Sequence, residues 1–523
     1  MGVWRMVTAS LSLALALAVL GPVATSARAS SAVVDGAAID GYIAAKMRAP
    51  RIPGVALAIV KDDQAVYVKG YGQADPAGHP VTPQTPFVIG SITKPITALA
   101  VMQLVEAGQV ELDAPVQRYL PWFRVADPQA AAQITVRELL TMTSGISGNG
   151  ALATFTWTDQ DDGALDRHVR YLAQVGLNHP PGQAVEYSNG NYTTLGAIVQ
   201  AVSGQSYEDY VRQHILAPLD MRHTFLSQDD ALAHGMATGY MWWFGIPVAT
   251  TVPYNRGELP AGFIISSAED MGHFLIAQMN GGRYQDRSVL SPAGIAFMHT
   301  EPAPNTYAMG WETAQLNGRT LINHDGGLPT FQASVFFAPE ARVGVFVAAN
   351  AFDAVDALSS PSGRSTLVGS TTRGMAASVL AMASDQPLPD QGPGLGLLTL
   401  VFDLVLVALT GALVVALARL PGRYRRLARH GVDRWPDLLR RTGLIAGLHL
   451  VWPAVVLYLA LAVPLWRVDV GLGQPDLTAW LHAVAMIVFL KGLLELALTS
   501  RVFRQADQRR SRRCQVAALS AGR

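Results

Sequence analysis

Apolar positions change their spacing several times along this chain, and the changes mark out its elements. "GVALAIVKDDQAVYVKGYG" (54–72) holds two apolar runs of strand length around Asp62-Asp63-Gln64, which predicts a hairpin. "ASVFFAPEARVGVFVAAN" (333–350) predicts a second hairpin of the same kind. Long stretches between them carry helical spacing, as in "ALAVMQLVEAGQV" (98–110), and "STLVGSTTRGMAASVLAMAS" (365–384) predicts another helix beyond. Strands at both ends with helices between them predict one sheet built from both ends of a domain, with a helical insertion.

Two further apolar excesses lie outside that domain. Arg5 precedes an apolar run from Leu11 to Leu20, and Ala27-Arg28-Ala29 follows, so residues 1–29 read as a secretory signal. Stretches 395–418, 443–466 and 479–499 are each long enough to span a bilayer. Arginine-rich segments follow the first and third, as the positive-inside rule requires of an outward domain and a cytoplasmic tail at 500–523. The expected order is therefore signal 1–29, catalytic domain 30–383, linker 384–394 ("SDQPLPDQGPG"), an all-α three-span membrane domain 395–499 and a basic tail. Asp403 and Lys491, at similar depths in the first and third spans, are expected to face each other.

Composition sharpens this division. Half of the 523 residues are hydrophobic and 15% are charged, with 39 basic and 39 acidic side chains. Residues 395–523 hold 17 basic and 7 acidic side chains, a net of +10; residues 30–394 hold 20 and 32, a net of −12. An acidic domain argues against nucleic acid as a partner. The single cysteine, Cys514, leaves no intrachain disulfide and no thiolate metal site, and no metal or cofactor is expected.

Three short motifs carry candidate chemistry. In "VIGSITKPIT" (88–97), Gly90 turns the chain into a helix and places Ser91 and Lys94 three residues apart, on one face. An amine beside a hydroxyl is what an activated nucleophile needs. In "PGQAVEYSNGNYTTLGAIVQAVSG" (181–204), Tyr187-Ser188-Asn189 precedes a helical run. A tyrosine near an ammonium has its phenolate favoured and can act as a base, and an Asn amide can orient a carbonyl. "LINHDGGLPTF" (321–331) ends an apolar strand in His324-Asp325-Gly326-Gly327, where glycines let a backbone N–H approach an oxyanion.

In this order the three motifs resemble those of the serine β-lactamase and penicillin-binding superfamily, nearest its class C β-lactamase, D-Ala-D-Ala carboxypeptidase, peptidase and esterase branch. "LLTMTSGI" (139–146), "ILAPLDMRHTFL" (215–226) and "LPAGFIISSAEDM" (259–271) resemble further stretches of that branch. The resemblance implies an α/β fold, an antiparallel sheet flanked by helices with an all-helical subdomain. It implies a serine hydrolase with Ser91 as the acylated nucleophile and Lys94 and Tyr187 as proton shuttles, Tyr187 serving the deacylating water. It further implies that Asn189 orients the substrate, that His324, Gly326 and Gly327 bind substrate along the strand edge, and that the oxyanion hole is the N–H groups of Ser91 and Gly327. The substrate would be a small ester, amide or D-amino-acid-containing peptide, met at the outer face of the cytoplasmic membrane.

Two positions depart from the family pattern. Met142 stands where relatives often carry histidine, a structural position. His324 stands where many carry lysine, which removes the fixed cation that grips a β-lactam or peptide carboxylate and leaves ester and amide chemistry. The domain order also resembles prodrug-activating peptidases of nonribosomal peptide pathways. Val88, Asn189 and Leu328 do not match the polar groups those enzymes use for their D-asparagine cap. The rival classes are a β-lactam-binding membrane sensor, or penicillin-binding protein without turnover, and a transporter with a binding domain. The cytoplasmic His-Glu-x-x-His of such sensors is missing from this chain, and three spans are few for a transport path.

Overall fold

The structure, a computed structural model, describes residues 34–48, 51–243, 246–300, 307–352, 371–389, 407–420, 422, 425 and 475–521. The chain divides after Asp35, and the sheet and helices belong to the unit from Gly36 onward. Both expected hairpins form and join one antiparallel sheet. Its strands are β1 (Gly54–Lys61), β2 (Gln64–Gly72), β3 (Glu312–Leu316), β4 (Arg319–Leu328), β5 (Phe331–Ala338) and β6 (Val343–Ala349). Their spatial order is β2-β1-β6-β5-β4-β3. The N-terminal hairpin meets the C-terminal strands where β1 pairs with β6, from Val55 opposite Ala349 to Lys61 opposite Val343.

Every residue of β5 and β6 is buried, which is why these strands read as continuous apolar runs. Alternate side chains serve opposite faces. Phe337 packs edge-on against Trp311, with ring centroids 5.2 Å apart, within the main core. Its neighbour Phe336 turns to the other face, where the Arg373 guanidinium lies 5.3 Å from its ring centroid. Each such fully buried aromatic contributes about 1.5–3 kcal/mol.

The helices around the sheet and the site are α1 (Gly36–Arg48), α2 (Thr93–Glu106), α3 (Asn189–Ser203), the single turn α4 (Leu259–Gly262), α5 (Ala268–Met279) and α6 (Thr371–Ala383); a further helix, α7 (Pro475–Ala521), follows later in the chain. Helix α5 lies on β1, β2 and β6; α6 lies on β5 and β6 and touches α1. The Ser267 hydroxyl accepts the Asp270 N–H and caps α5, and α3 stops at Gly204, in the left-handed region at φ 70°.

Helix α2 is buried nearly all round, so its polar residues need internal partners. Thr97 donates to Pro260 O at 2.7 Å and meets Tyr207 Oη at 2.6 Å, while Thr93 Oγ1 accepts the Ile264 N–H. Lys94 is the third, and its partners define the site.

One sequence expectation needs correction and another is left unconfirmed. The insertion between the hairpins is mostly helical but not all-helical: it carries small ribbons pairing Phe87–Val88 with Ile265–Ser266, Tyr240–Trp243 with Ile246–Ala249 and Arg283–Tyr284 with Arg287–Ser288. The three-span membrane domain is not confirmed: among the described residues no helix is long and apolar enough to cross a membrane. The third expected span falls inside α7, which buries the ion pair Lys491–Glu495 (3.4 Å) and continues into an arginine-rich segment. The first is described only from residue 407, and the second, Asp403 and the signal 1–29 lie outside the described residues.

Candidate active site

The chain enters α2 through a 3₁₀ turn, Gly90–Ile92, so Ser91 stands in that turn, two residues before the helix begins at Thr93. Gly90 takes φ +56°, where glycine is favoured. Strand β4 presses against this turn: a Cβ on Gly90 would lie 2.5 Å from Gly327 N, and one on Gly326 would overlap Ile89 O and lie 3.1 Å from Ser91 N. Glycine is therefore required on both sides of the contact. The close approach sets the peptides of Ser91 and Gly327 beside each other, as a two-donor oxyanion hole needs.

Lys94 follows one helical turn after Ser91 and is fully buried. Its Nζ lies 2.8 Å from Ser91 Oγ, 2.9 Å from Asn189 Oδ1 and 2.6 Å from Ala261 O. The last two partners are carbonyl oxygens and can only accept. Burial pushes the ammonium down to about 7, with the Glu258 carboxylate opposing the fall. A neutral Lys94 donates two N–H bonds to the fixed carbonyls and turns its lone pair to the Ser91 hydroxyl.

Tyr187 and Asn189 arrive on the turn into α3. Met142, buried at φ 58°, supports that turn: its Sδ accepts from the Ser188 N–H at 3.5 Å and Asn191 Nδ2 at 3.2 Å. The position is structural. Lys94 lies 4.8 Å from the Tyr187 ring centroid. Burial pushes the Tyr187 phenol above its ordinary range, with Glu312 and Asp325 adding to the rise and contact with Ser91 opposing it. The phenolate expected from the sequence is thus disfavoured, and Tyr187 stands here as a neutral phenol. Asn189 spends its Oδ1 on Lys94, which leaves the Nδ2 group to meet a substrate carbonyl.

His324 is buried beside this cluster. Its Nδ1 lies 2.6 Å from Asp325 O, which can only accept, so Nδ1 carries the proton; Nε2 then accepts from Tyr307 Oη at 3.3 Å. Burial first, and Lys94 second, push the imidazole down to about 4. It is a neutral ring, not a substitute cation. The nearby cation, Arg373, is held by Asp325 and lies 4.0 Å from Glu312.

The structure thus brings Ser91, Lys94, Tyr187, Asn189, His324, Gly326 and Gly327 to one place. Sequence reading missed Tyr307, whose ring packs edge-on to both Tyr187 and His324 at 6.0 and 5.9 Å. It also missed the carbonyl of Ala261, although "LPAGF" was a visible motif, and buried Glu258 just before it. Among the described residues no group of three His, Cys, Asp or Glu side chains could hold a metal.

Comparison with known proteins gives the family of the chain. The β-lactamase family model matches residues 39–362. Protein flp of Staphylococcus aureus (strain MW2) is 32% identical over 314 residues, 60% of this chain and 62% of that protein. The chain thus spans about three fifths of the length of the flp proteins it matches. Penicillin-binding protein 4 of Amycolatopsis lactamdurans is 32% identical over 296 residues, 53% of this chain and 74% of that one. The octameric penicillin-binding protein homologue from Pyrococcus abyssi matches with a TM-score of 0.58 and 28% identity, over 68% of this chain and 79% of that one. D-alanine carboxypeptidase AmpC from Burkholderia cenocepacia matches with a TM-score of 0.50 and 26% identity, over 60% and 93%. The family model covers more than half of the chain, and the chain belongs to the β-lactamase family.

Proposed function

We propose that the protein hydrolyses small esters or amides that carry no gripped carboxylate, through an acyl-enzyme on Ser91. The observation that carries this reading is the 2.8 Å contact between Lys94 Nζ and Ser91 Oγ, made by a lysine that burial holds near 7. Neutral Lys94 takes the Ser91 proton as Oγ attacks the carbonyl carbon. The oxyanion forms between the N–H groups of Ser91 and Gly327. The proton passes through Tyr187 to the leaving oxygen or nitrogen, which departs as an alcohol or amine and leaves an ester on Ser91. Water then attacks that ester, its proton passing by way of the Tyr187 phenol to Lys94, which returns it to Ser91 Oγ as the intermediate collapses, releasing the acid and restoring the free serine.

The restriction on substrate follows from His324. Relatives named as a carboxypeptidase or penicillin-binding protein act on or bind ligands that end in a carboxylate. This site presents a neutral imidazole and an arginine already engaged by Asp325. A hydrolysis screen of p-nitrophenyl esters, D-amino-acid amides and a cephalosporin tests the reading. Turnover of neutral esters or amides above the carboxylate-bearing compounds supports it; cephalosporin turnover above all neutral compounds opposes it.

We also propose that the enzyme is exported and acts outside the cytoplasm at a bilayer surface. The signal-like residues 1–29 and the apolar runs 395–418 and 443–466 support this on sequence grounds alone. Fractionation tests it: a full-length chain released from membranes by alkaline carbonate, without detergent, opposes bilayer insertion.

A further inference from the structure

We propose that Glu258 is the buried counter-charge of Lys94, a positioning residue that sets the pH range in which Ser91 is activated. The proposal rests on the serine-hydrolase reading above and adds to it a residue that does not touch the reacting atoms.

Glu258 precedes α4, and its side chain is 3% exposed. A carboxylate this deep needs donors and a compensating charge. The Thr154 hydroxyl donates to Oε1 at 2.8 Å, and Thr193 Oγ1 lies 3.4 Å from Oε2. His168 Nδ1, from the helix Ala164–Tyr171, lies 3.5 Å from Oε1. Arg256, two residues earlier, turns away to Glu208 and Asp162. The direct partners of Glu258 are thus two hydroxyls and an imidazole.

Lys94 shows the complementary pattern. Its direct partners are a hydroxyl and two carbonyl oxygens, with the rings of Tyr187 and Tyr192 beside it and neutral His324 beyond. Two connections join the two buried groups. Thr193 Oγ1 lies 3.0 Å from Asn189 O, and the side chain of Asn189 accepts from Lys94. Ala261, whose carbonyl accepts from Lys94, sits in the turn that Glu258 begins. Glu258 therefore lies one hydroxyl away from Asn189 and in the same turn as Ala261, the two carbonyl acceptors of the lysine, and supplies the opposite charge. In the low-dielectric interior that charge acts without direct contact. Its pull on the ammonium opposes the fall caused by burial.

The test is the pH dependence of Ser91 phosphonylation by a fluorophosphonate, measured on the full chain. In the wild type the rate should rise with pH through about 7. Glu258→Gln keeps the shape and the hydroxyl partners but removes the charge, so Lys94 loses its proton more easily. The rise should move to lower pH by on the order of one unit. A folded Glu258→Gln protein whose rise stays at the wild-type pH overturns the proposal, whatever its maximal rate. Should that variant not fold, Glu258→Asp keeps the charge and must keep the position of the rise; a displaced rise there also overturns it. Failure of the wild type to label at Ser91 would instead sink the hydrolase reading, a separate result.

Discussion

Lys94 Nζ lies 4.8 Å from the centroid of the Tyr187 ring, and the same nitrogen reaches Ser91 Oγ at 2.8 Å. The lysine thus addresses the serine oxygen directly and the tyrosine through its π system. An ammonium poised for the phenolate would hydrogen-bond the tyrosine oxygen, and no such bond is among those of Lys94. This divides the labour between a lysine that titrates and a tyrosine that stays protonated.

The division predicts a pH profile. If neutral Lys94 is the base, kcat/KM on a neutral ester rises with pH through about 7 and reports the lysine of the free enzyme. A rise centred near 10, where an ordinary phenol or lysine titrates, would contradict it. Initial rates across the neutral and alkaline range decide.

Stability carries the same signature with a definite sign. Unfolded Lys94 keeps its proton up to about 10.5, whereas the folded protein releases it near 7. Between these values the unfolded chain binds more protons, so this residue makes stability increase with pH there. Lys94→Met should remove that contribution and melt at the wild-type temperature or higher in mildly acidic buffer. It should also lose activity about 10³-fold or more. Thermal melts of both proteins on either side of neutrality check the slope.

Tyr187→Phe removes the relay and leaves the ring that packs against Tyr307 and His324. The fold should survive, while kcat falls by about 10²- to 10⁴-fold. Alcohol leaving groups that need no proton, such as p-nitrophenol, should lose less than alkyl amines. Equal losses across leaving groups would argue against a relay.

His324→Lys restores the cation missing from the strand edge. The ratio of rates on carboxylate-bearing over neutral substrates should rise by about tenfold, the yield of roughly 1.4 kcal/mol from one charge-assisted contact. An unchanged ratio in a folded variant would show that His324 does not set this preference.

Gly326→Ala tests the contact that builds the oxyanion hole. Its Cβ would overlap Ile89 O, a backbone atom that cannot swing aside. We expect a stability loss of about 1–3 kcal/mol and a fall in kcat of about 10²- to 10³-fold. Circular-dichroism melts and steady-state rates measure the two effects separately.

How much the sequence made legible depends on how local each signal is. Ser91 and Lys94 lie within one helical turn, and Tyr187-Ser188-Asn189 and His324-Asp325-Gly326 are contiguous, so spacing alone displayed them. The two hairpins were legible because turn residues interrupt strongly apolar runs. Tyr307 and Glu258 were not, since neither has a pattern of its own. Tyr307 matters only after β4 carries His324 beneath it, and Glu258 only after α3 brings Thr193 against α4. Apolar length suggested three spans; the second and much of the first lie outside the described residues, and the third falls in a helix of 47 residues that buries Lys491 against Glu495.

The proposed chemistry stands on Ser91 as a nucleophile activated by Lys94. Intact-protein mass spectrometry after fluorophosphonate treatment in mildly alkaline buffer, with peptide mapping of the adduct, tests this directly. We expect one adduct, located on Ser91, that is absent in Ser91→Ala and slowed about 10³-fold or more in Lys94→Met. An adduct on another residue, or equally fast labelling of Ser91 without the Lys94 amine, would contradict it.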